Sequence, residues 1–469
     1  VIADALSGSQ WLTLDPSQYY EINPSAAMNM IYEALYTIPD GSQPNNITPM
    51  LATELPTFSE DGLTATIPLR TGVKFHTSGN EMTSADVVFS FNRLKFGAAQ
   101  GGFLGSDYWT AVEAVDATTI KLTLASPNAA LAAVLTSIPL SITDSARVKE
   151  MGGTDAEPAE VAEGETAPEV EANQAARDQI NGDSVGTGPF MVSQWDVNSD
   201  VIIVKNPDYW GEAATLEQII WRNTLEANAQ VQSLQTGEVD ISYSLPVDQI
   251  EAVRGDSNLQ VLEGPTLAIC YVGLNTAEAK GGILAKKEAR QAIGYAIDYD
   301  GIVNDLMSGA AQRPATIVPL PLLGSEEVLP KAYTFDLAKA QELWDSISAG
   351  EQEIEFIYDS DTPAPGGASY ETLGQKLQSD LQQIKGLTVK LTPMPGTDRL
   401  ARYRAGDFQA TISPWTPDFP DVDSYAGPFA RTDTAAAKRV GFSDPAVDAL
   451  LDQGLTEFDA AARTQIYVQ

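Results

Sequence analysis

The residues best suited to chemistry lie in the stretch TISPWTPDFPDVDSY, residues 411–425. An apolar run typical of a strand, residues 408–413, ends at Pro414, and Trp415 and Asp418 follow on a segment stiffened by prolines. A carboxylate makes strong charge-assisted hydrogen bonds to a positively charged amine. We therefore expect this loop to line a ligand cleft and Asp418 to receive an ammonium group. The competing structural interpretation is an Asx turn or a helix cap, which an Asp between prolines commonly forms.

The elements that must position this loop are predicted to form a parallel α/β arrangement. Residues 354–358 form a predicted strand, apolar residues recur every three or four positions over 373–384, and residues 387–391 alternate as the next strand. This order predicts a βαβ unit, and a short helix at 400–404 leads from it to the strand at 408–413. Ligands of open α/β sheets bind beyond the carboxyl ends of the strands, which is where the loop begins.

The first half of the chain mixes strands, turns and helices. Thr83 followed three residues later by Asp86 predicts a capping box at the start of a helix. The segment GTGPF at 186–190 runs into a strand and lacks the Lys-Ser/Thr of a phosphate-binding loop, which argues against a nucleotide site. A further helix is predicted to end at Gly237.

Length and charge narrow the class of protein. With 469 residues the chain exceeds one hydrophobic core, so two or more lobes are expected. The formal net charge of −36 argues against nucleic acid or an anionic membrane surface as a partner, because both require a positive footprint. Residues 155–171 carry seven acids and no bases, which predicts an exposed, mobile insertion.

Two single residues exclude other chemistry. The one cysteine, Cys270, lies in an apolar run and is expected to be a small buried residue. Because the chain has a single histidine, His76, histidine-rich metal sites and a Ser-His-Asp triad are disfavoured. His76 itself is expected in a strand or turn. No metal or cofactor is expected.

Neither a membrane span nor a targeting segment is visible in the sequence. No run of 18 apolar residues occurs, and Val1 begins the chain without a signal peptide, which indicates a cytosolic protein or a removed signal. The sequence stops inside an amphipathic helix pattern. We therefore expect that a C-terminal segment is missing.

Seven segments follow one another along the chain in a characteristic order. They are LDP (14–16), IYEAL (31–35), LRTGVKFHTSGNEMTSADVVFSFNRL (69–94), GTGPF with WDVNSDVIIVKNPDYWG (186–211), LQTGEVDI (234–241), GLNT with ARQAIGYAIDYDGIV (273–303) and WTPDFPD (415–421). In this order they resemble the large extracytoplasmic solute-binding proteins of ABC importers, in the peptide/nickel family that includes oligopeptide- and dipeptide-binding proteins.

The resemblance implies an α/β, two-lobed periplasmic-binding-protein-like fold that closes on its ligand by a hinge motion, in the large peptide-binding class with an extra subdomain. The expected division is a first lobe made of residues 1–45 and 177–270, an extra subdomain at 46–176 and a second lobe at 271–469. It also implies a monomer outside the cytoplasm, free or lipid-anchored, that delivers its ligand to the membrane subunits of an importer.

In peptide-binding members the ligand lies as an added strand, and the carboxylate of the Trp-x-x-Asp motif holds its α-amine, which corresponds to Asp418 here. Pro417 and Val422 depart from the usual motif and put strand pairing through Ser413 and Trp415 in question. Asp421 is expected to brace the loop. The residues expected to line the cleft besides Asp418 are Trp415, Ser413, Tyr271, Asn275, Tyr19, Tyr20 and Leu14.

Two other ligand classes and one enzymatic function are alternative hypotheses. The same fold can hold an oligosaccharide or another small solute, and a nickel chelate is a further variant, because function depends on the site and not on the fold. The hypothesis from a different functional class is a hydrolase that uses paired carboxylates. Acids are so numerous in this chain that finding pairs of them is weak evidence for it.

Overall fold

The computed structural model describes residues 1–4, 6, 11–20, 25–162, 165–243, 245, 247–347 and 350–469. The chain divides into two compact units. The first comprises Val1–Leu245 with Ala252–Val261, and the second comprises Leu262–Gln469 with Pro246–Glu251. The finer boundaries expected from the family resemblance stay predictions.

The first unit contains most of the strands. They are β1 (Ile2–Asp4), β2 (Tyr36–Thr37), β3 (Thr48–Pro49), β4 (Thr57–Phe58), β5 (Thr64–Pro68), β6 (Trp109–Asp116), β7 (Thr119–Leu124), β8 (Phe190–Trp195), β9 (Asp200–Lys205), β10 (Gln218–Asn223) and β11 (Ile241–Ser242). One sheet has the order β11-β1-β10-β9-β8, with β1 parallel to both neighbours, and another has the antiparallel order β4-β5-β7-β6.

The helices of this part of the chain are short apart from two of 13 residues. They are α1 (Ser25–Ile31), α2 (Ser84–Phe96), α3 (Phe103–Ser106), α4 (Leu131–Val134), α5 (Ser145–Glu150), α6 (Pro168–Ile180), α7 (Ala227–Thr236) and α8 (Val247–Arg254), the last crossing the division between the units. The predicted capping box at Thr83 and Asp86 is present at the start of α2. The predicted stop of α7 at Gly237 is confirmed, since this glycine has a φ of 73°.

The acidic segment differs in part from the prediction of a mobile insertion. Residues 155–162 are irregular and mostly exposed, as expected. Pro168, however, begins α6, and Val170 in its first turn is buried. The Glu169 carboxylate accepts a hydrogen bond from the Ala159 N–H at 3.1 Å, so the first part of the segment is tied to the start of α6.

The second unit contains a four-stranded mixed sheet with the order β12-β15-β13-β14, formed by β12 (Ile269–Leu274), β13 (Gln352–Asp359), β14 (Leu387–Met394) and β15 (Ala410–Trp415). Its helices are α9 (Glu278–Gly281), α10 (Lys287–Ala296), α11 (Leu337–Ser346), α12 (Tyr370–Leu381), α13 (Gly396–Arg404), α14 (Asp423–Ala430), α15 (Ala435–Val440), α16 (Pro445–Thr456) and α17 (Ala460–Tyr467).

The predicted βαβ unit is confirmed. β13 and β14 pair in parallel over their whole length, and α12 connects them with Leu373, Leu377 and Leu381 buried against the sheet. The side chains of Ala410 and Ile412 belong to this same core, so β15 is a central strand buried on both faces.

The prediction of a buried Cys270 is wrong, whereas His76 lies in a turn as predicted. Cys270 is exposed near the start of the edge strand β12, before Val272 and Leu274 on the same face pack against the core of the second unit. The His76 ring nitrogens contact the Ser184 hydroxyl at 2.8 Å and the Gly188 carbonyl at 2.9 Å. Burial lowers the pKa of His76 to about 4. Among the described residues, no helix has the length and apolarity that a membrane crossing requires.

Candidate functional site

The strand that leads into the acidic loop continues further than the sequence indicated. We expected it to stop at Pro414, but β15 runs to Trp415 beside β12. The proline is tolerated because it lies opposite Cys270 at a pair that needs no amide donor. Ser413 and Trp415 consequently direct their backbone groups towards β12, so they are committed to the sheet rather than to an added ligand strand.

The loop after β15 folds back onto the first turn of α14. Nε1 of Trp415 donates to the Ser424 carbonyl at 3.0 Å, and the backbone N–H of Asp418 donates to the Ser424 hydroxyl at 3.0 Å. The indole also packs edge-on against Phe429, with ring centroids 4.9 Å apart. These contacts fix the backbone of Asp418, whose side chain is half-buried just beyond the carboxyl end of the central strand.

Asp421 has the bracing geometry that we expected. Nη1 and Nη2 of Arg463, on α17, each donate to one of its carboxylate oxygens at 2.7 Å. Burial alone would lower the pKa of Arg463, but the hydrogen bonds and charge of Asp421 offset this and raise it. A bidentate pair of this kind is among the stronger polar contacts in proteins, so it holds the end of the loop in one conformation.

Asp423 is a buried acid that the sequence analysis did not single out. Its N–H donates to Asp421, and one of its own carboxylate oxygens is buried without a hydrogen-bond partner in the described part of the chain. Burial and then the charge of Asp421 raise the pKa of Asp423 to about 6, against the opposing effect of Arg431 and Arg463. The loop therefore has a group that titrates near neutral pH.

Tyr271 and Ser413 face the same side of the sheet from neighbouring strands. They are directly opposite each other in the register of β12 and β15. The Tyr271 hydroxyl donates to the Tyr403 hydroxyl at 2.9 Å, and the Ser413 hydroxyl accepts from Nη1 of Arg399 at 2.9 Å. Burial raises the pKa of Tyr271. The structure thus brings two predicted residues together with two residues of α13 that the sequence analysis missed.

Asn275 occupies a different environment. It is 1 % exposed, and its amide nitrogen donates to the carbonyls of Gly406 and Phe408 at 3.2 and 3.0 Å, while its oxygen accepts from the Ala277 N–H at 3.0 Å. The side chain therefore ties the end of β12 to the turn before β15, and its amide is used within the protein.

The predicted residues of the first unit lie on one segment. Tyr19 and Tyr20 both line a cavity of about 210 Å³, together with Leu12, Ala98 and Arg177 among others. Tyr20 is the more exposed of the two and packs edge-on against Phe103.

Leu14 does not share this environment. It is fully buried, and its N–H donates to the Asn181 side chain at 2.7 Å, so this backbone donor is already used within the protein.

Comparison with known proteins identifies the family of the chain. The family described as bacterial extracellular solute-binding proteins, family 5, matches residues 46–437. The chain belongs to this family. Its members act outside the cytoplasm, and the fold is the two-lobed α/β fold of periplasmic binding proteins that we predicted.

Two curated relatives illustrate the degree of sequence similarity. A probable D,D-dipeptide-binding periplasmic protein of Escherichia coli K12 is 28 % identical over 414 residues, covering 88 % of this chain and 74 % of that protein. A di/tripeptide-binding protein of Pseudomonas aeruginosa is 25 % identical over 475 residues, covering 97 % and 83 %.

Two solved structures share the whole fold with this chain. The periplasmic binding protein DppA of Helicobacter pylori, in complex with the peptide STSA, has a TM-score of 0.76 at 25 % identity and covers 100 % of this chain and 88 % of that one. HbpA2 of Haemophilus parasuis has a TM-score of 0.81 at 26 % identity and covers 100 % and 90 %.

Proposed function

We propose that this family 5 solute-binding protein captures peptides for an ABC importer and that the Asp418 carboxylate receives the peptide α-amine. In this proposal the protein is a monomeric receptor rather than an enzyme, and it works in the periplasm or from a lipid anchor at the outer face of the membrane. It hands its ligand to the membrane subunits of the importer.

The position of Asp418 is the observation that carries the proposal. Asp418 follows the carboxyl end of a central strand, which is where α/β sheets bind ligands. The Trp415 and Asp418 contacts to Ser424 fix one end of the loop, and the Asp421–Arg463 pair fixes the other. The backbone of Asp418 is held in this way, which positions its side chain for an ammonium group, and the half-burial of the residue strengthens the attraction relative to bulk water.

The ligands of the relatives support the same ligand class. Two relatives are named for binding dipeptides or tripeptides, and the DppA structure contains the peptide STSA. Because the backbone groups of Ser413 and Trp415 already pair with β12, the proposal assigns the amino terminus to the Asp418 side chain, as expected from the sequence, and not to main-chain pairing with this strand.

Isothermal titration with di- to pentapeptides tests the proposal, with each peptide also supplied in N-acetylated form. We expect heat from free peptides and at least a tenfold weaker response from the acetylated ones, because acetylation removes the ammonium charge. Mass spectrometry of material released from the denatured protein provides a second test. No binding of any free peptide, with release of a sugar or a metal chelate instead, would contradict the proposal.

A further inference from the structure

Asp423 lies between the contacts that fix the loop after β15. Its backbone N–H donates to Oδ1 of Asp421 at 2.9 Å, and the hydroxyl of the next residue, Ser424, accepts from the N–H of Asp418 at 3.0 Å. The side chain of Asp423 is buried, and its Oδ1 has no hydrogen-bond partner among the described residues. A buried carboxyl group therefore adjoins the backbone that positions Asp418, the residue proposed to receive the peptide amine.

The two arginines that act on Asp423 are committed to other carboxylates. Nη1 and Nη2 of Arg463 each donate to Asp421 at 2.7 Å, and Nη1 of Arg431 pairs with Asp452. Nη2 of Arg431 is buried and makes no hydrogen bond to any described residue, Asp423 included. Asp423 therefore has no cation of its own in the described chain, and its burial and the charge of Asp421 both oppose the loss of its proton.

The other groups around Asp423 leave this balance unchanged. The Tyr467 hydroxyl of α17 has a raised pKa and stays neutral, and the two cations of α15 are directed elsewhere. Lys438 is exposed, and Arg439 stacks on an aromatic ring of α13. Burial and then the charge of Asp421 raise the pKa of Asp423 to about 6. The titratable and charged groups around Asp423, including those near Arg431, are Asp421, Arg431, Asp448, Asp452, Arg463 and Tyr467.

We propose that a peptide amine bound at Asp418 supplies the positive charge that Asp423 lacks, so that peptide capture strengthens as the pH rises and Asp423 loses its proton. The inference rests on the proposed function and adds regulation of the same site by protons. A nearby positive charge favours the ionised form of an acid, and coupling between two binding events is reciprocal. Binding of the amine therefore releases the Asp423 proton to solvent, and the protonated form of the protein binds the amine more weakly.

The short chain between the two acids sets the strength of this coupling. Five residues of extended backbone span at most about 18 Å, and the hydrogen bond from Asp418 to Ser424 shortens the distance. At about 10 Å and an effective dielectric constant of about 20–80, one unit charge changes the affinity for another by about twofold to fifteenfold. His76 titrates near pH 4, below the window in which Asp423 changes charge. We therefore expect affinity to rise about threefold to fivefold from pH 5 to pH 7.

The test titrates di- to penta-alanine into the wild-type protein at pH 5 and pH 7, because the end groups of these peptides keep their charges over this interval. Each peptide that binds should show the expected rise in affinity. Titration at pH 6 in two buffers of different ionisation enthalpy should also show the release of a fraction of a proton on binding. The Asp423→Asn variant should lose both the pH dependence and the proton release.

Asp433→Asn provides the matched control, because it removes an acid from an exposed position of the same unit and should keep both effects. Thermal unfolding checks that both variants are folded, and proton release by the wild-type protein tests the coupling without any variant. Equal affinity at both pH values without proton release, or the same pH dependence in Asp423→Asn, would overturn the inference while leaving peptide capture intact. Binding of none of the peptides at either pH would overturn the proposed function and this inference together.

Discussion

Two arginines, one in each unit, differ in how far contacts within the protein satisfy their charge and their hydrogen-bond donors. Arg93 in the first unit is fully buried, and its Nη1 and Nη2 donate to Asp15 at 2.7 and 2.6 Å while Nε donates to Asn173 at 2.9 Å. Arg399 in the second unit is half-buried, has one donor on Ser413 and leaves Nε without an acceptor in the described chain.

The difference separates residues that hold the fold from residues suited to a ligand. A buried arginine whose charge is neutralised by a bidentate carboxylate has little left to offer a ligand, and removing its partner leaves a buried charge. An arginine with unused donors at the edge of a sheet can complete its hydrogen bonds only with a molecule that binds there. We therefore expect changes around Arg93 to affect stability and changes around Arg399 to affect binding.

Asp15→Asn should produce the largest loss of stability. The amide cannot neutralise Arg93, so the free energy of unfolding should fall by about 3–5 kcal/mol. Urea denaturation of the folded protein measures this. Asp178→Asn is the control, because its pair with Arg177 is exposed and should contribute nothing measurable. Equal stability of the two variants would break the comparison.

Asp423→Asn should stabilise the protein at neutral pH. Because burial raises the pKa of Asp423 to about 6, its contribution to stability is fully present below about pH 4 and is lost as the pH rises through 6. The uncharged amide avoids this loss, so the variant should exceed the wild type by up to roughly 3 kcal/mol at pH 7.5.

The measurement for Asp423 is urea unfolding at pH 4 and pH 7.5, where we expect a difference only at the higher pH. Asp433→Asn, at an exposed position, serves as the control and should show no such change. The same difference at both pH values would rule out titration of Asp423 as its cause.

Ser413→Ala should produce the smallest effect. The variant loses the hydroxyl that accepts from Arg399 and contacts Thr411, which is expected to lower the free energy of unfolding by about 1 kcal/mol. Peptide affinity should also fall, because Arg399 is no longer held in place. Ser346→Ala, on the exposed surface of α11, is the comparison in both assays. Unchanged affinity would show that Ser413 does not position Arg399 for the ligand.

The periodic elements of the fold could be predicted from local sequence. The leucines of α12 and the alternation of β14 follow directly from their spacing, and the capping box at Thr83 and Asp86 marks the start of α2. The bracing geometry of Asp421 was also expected. Such features depend on residues a few positions apart, where the periodicity of helices and strands determines which side chains meet.

The missed features depend on residues far apart in the chain. Asp15 and Arg93 are separated by 78 positions, and no local pattern connects them. The environment of Arg399 depends on how β13 and β15 part, which the spacing within either strand does not show. Cys270 was expected to be buried because its neighbours are apolar, but its position near the start of the edge strand β12 leaves it exposed.

The central claim, that Asp418 receives the ligand's amine, is tested most directly by a double cycle of titrations. Wild-type protein and Asp418→Asn are each titrated with one peptide that the wild type binds and with its N-acetylated form. We predict that loss of either charge weakens binding by about 2–5 kcal/mol and that losing both costs little more than losing one. Independent, additive losses would show that the Asp418 carboxylate and the peptide amine do not meet, and would contradict the account.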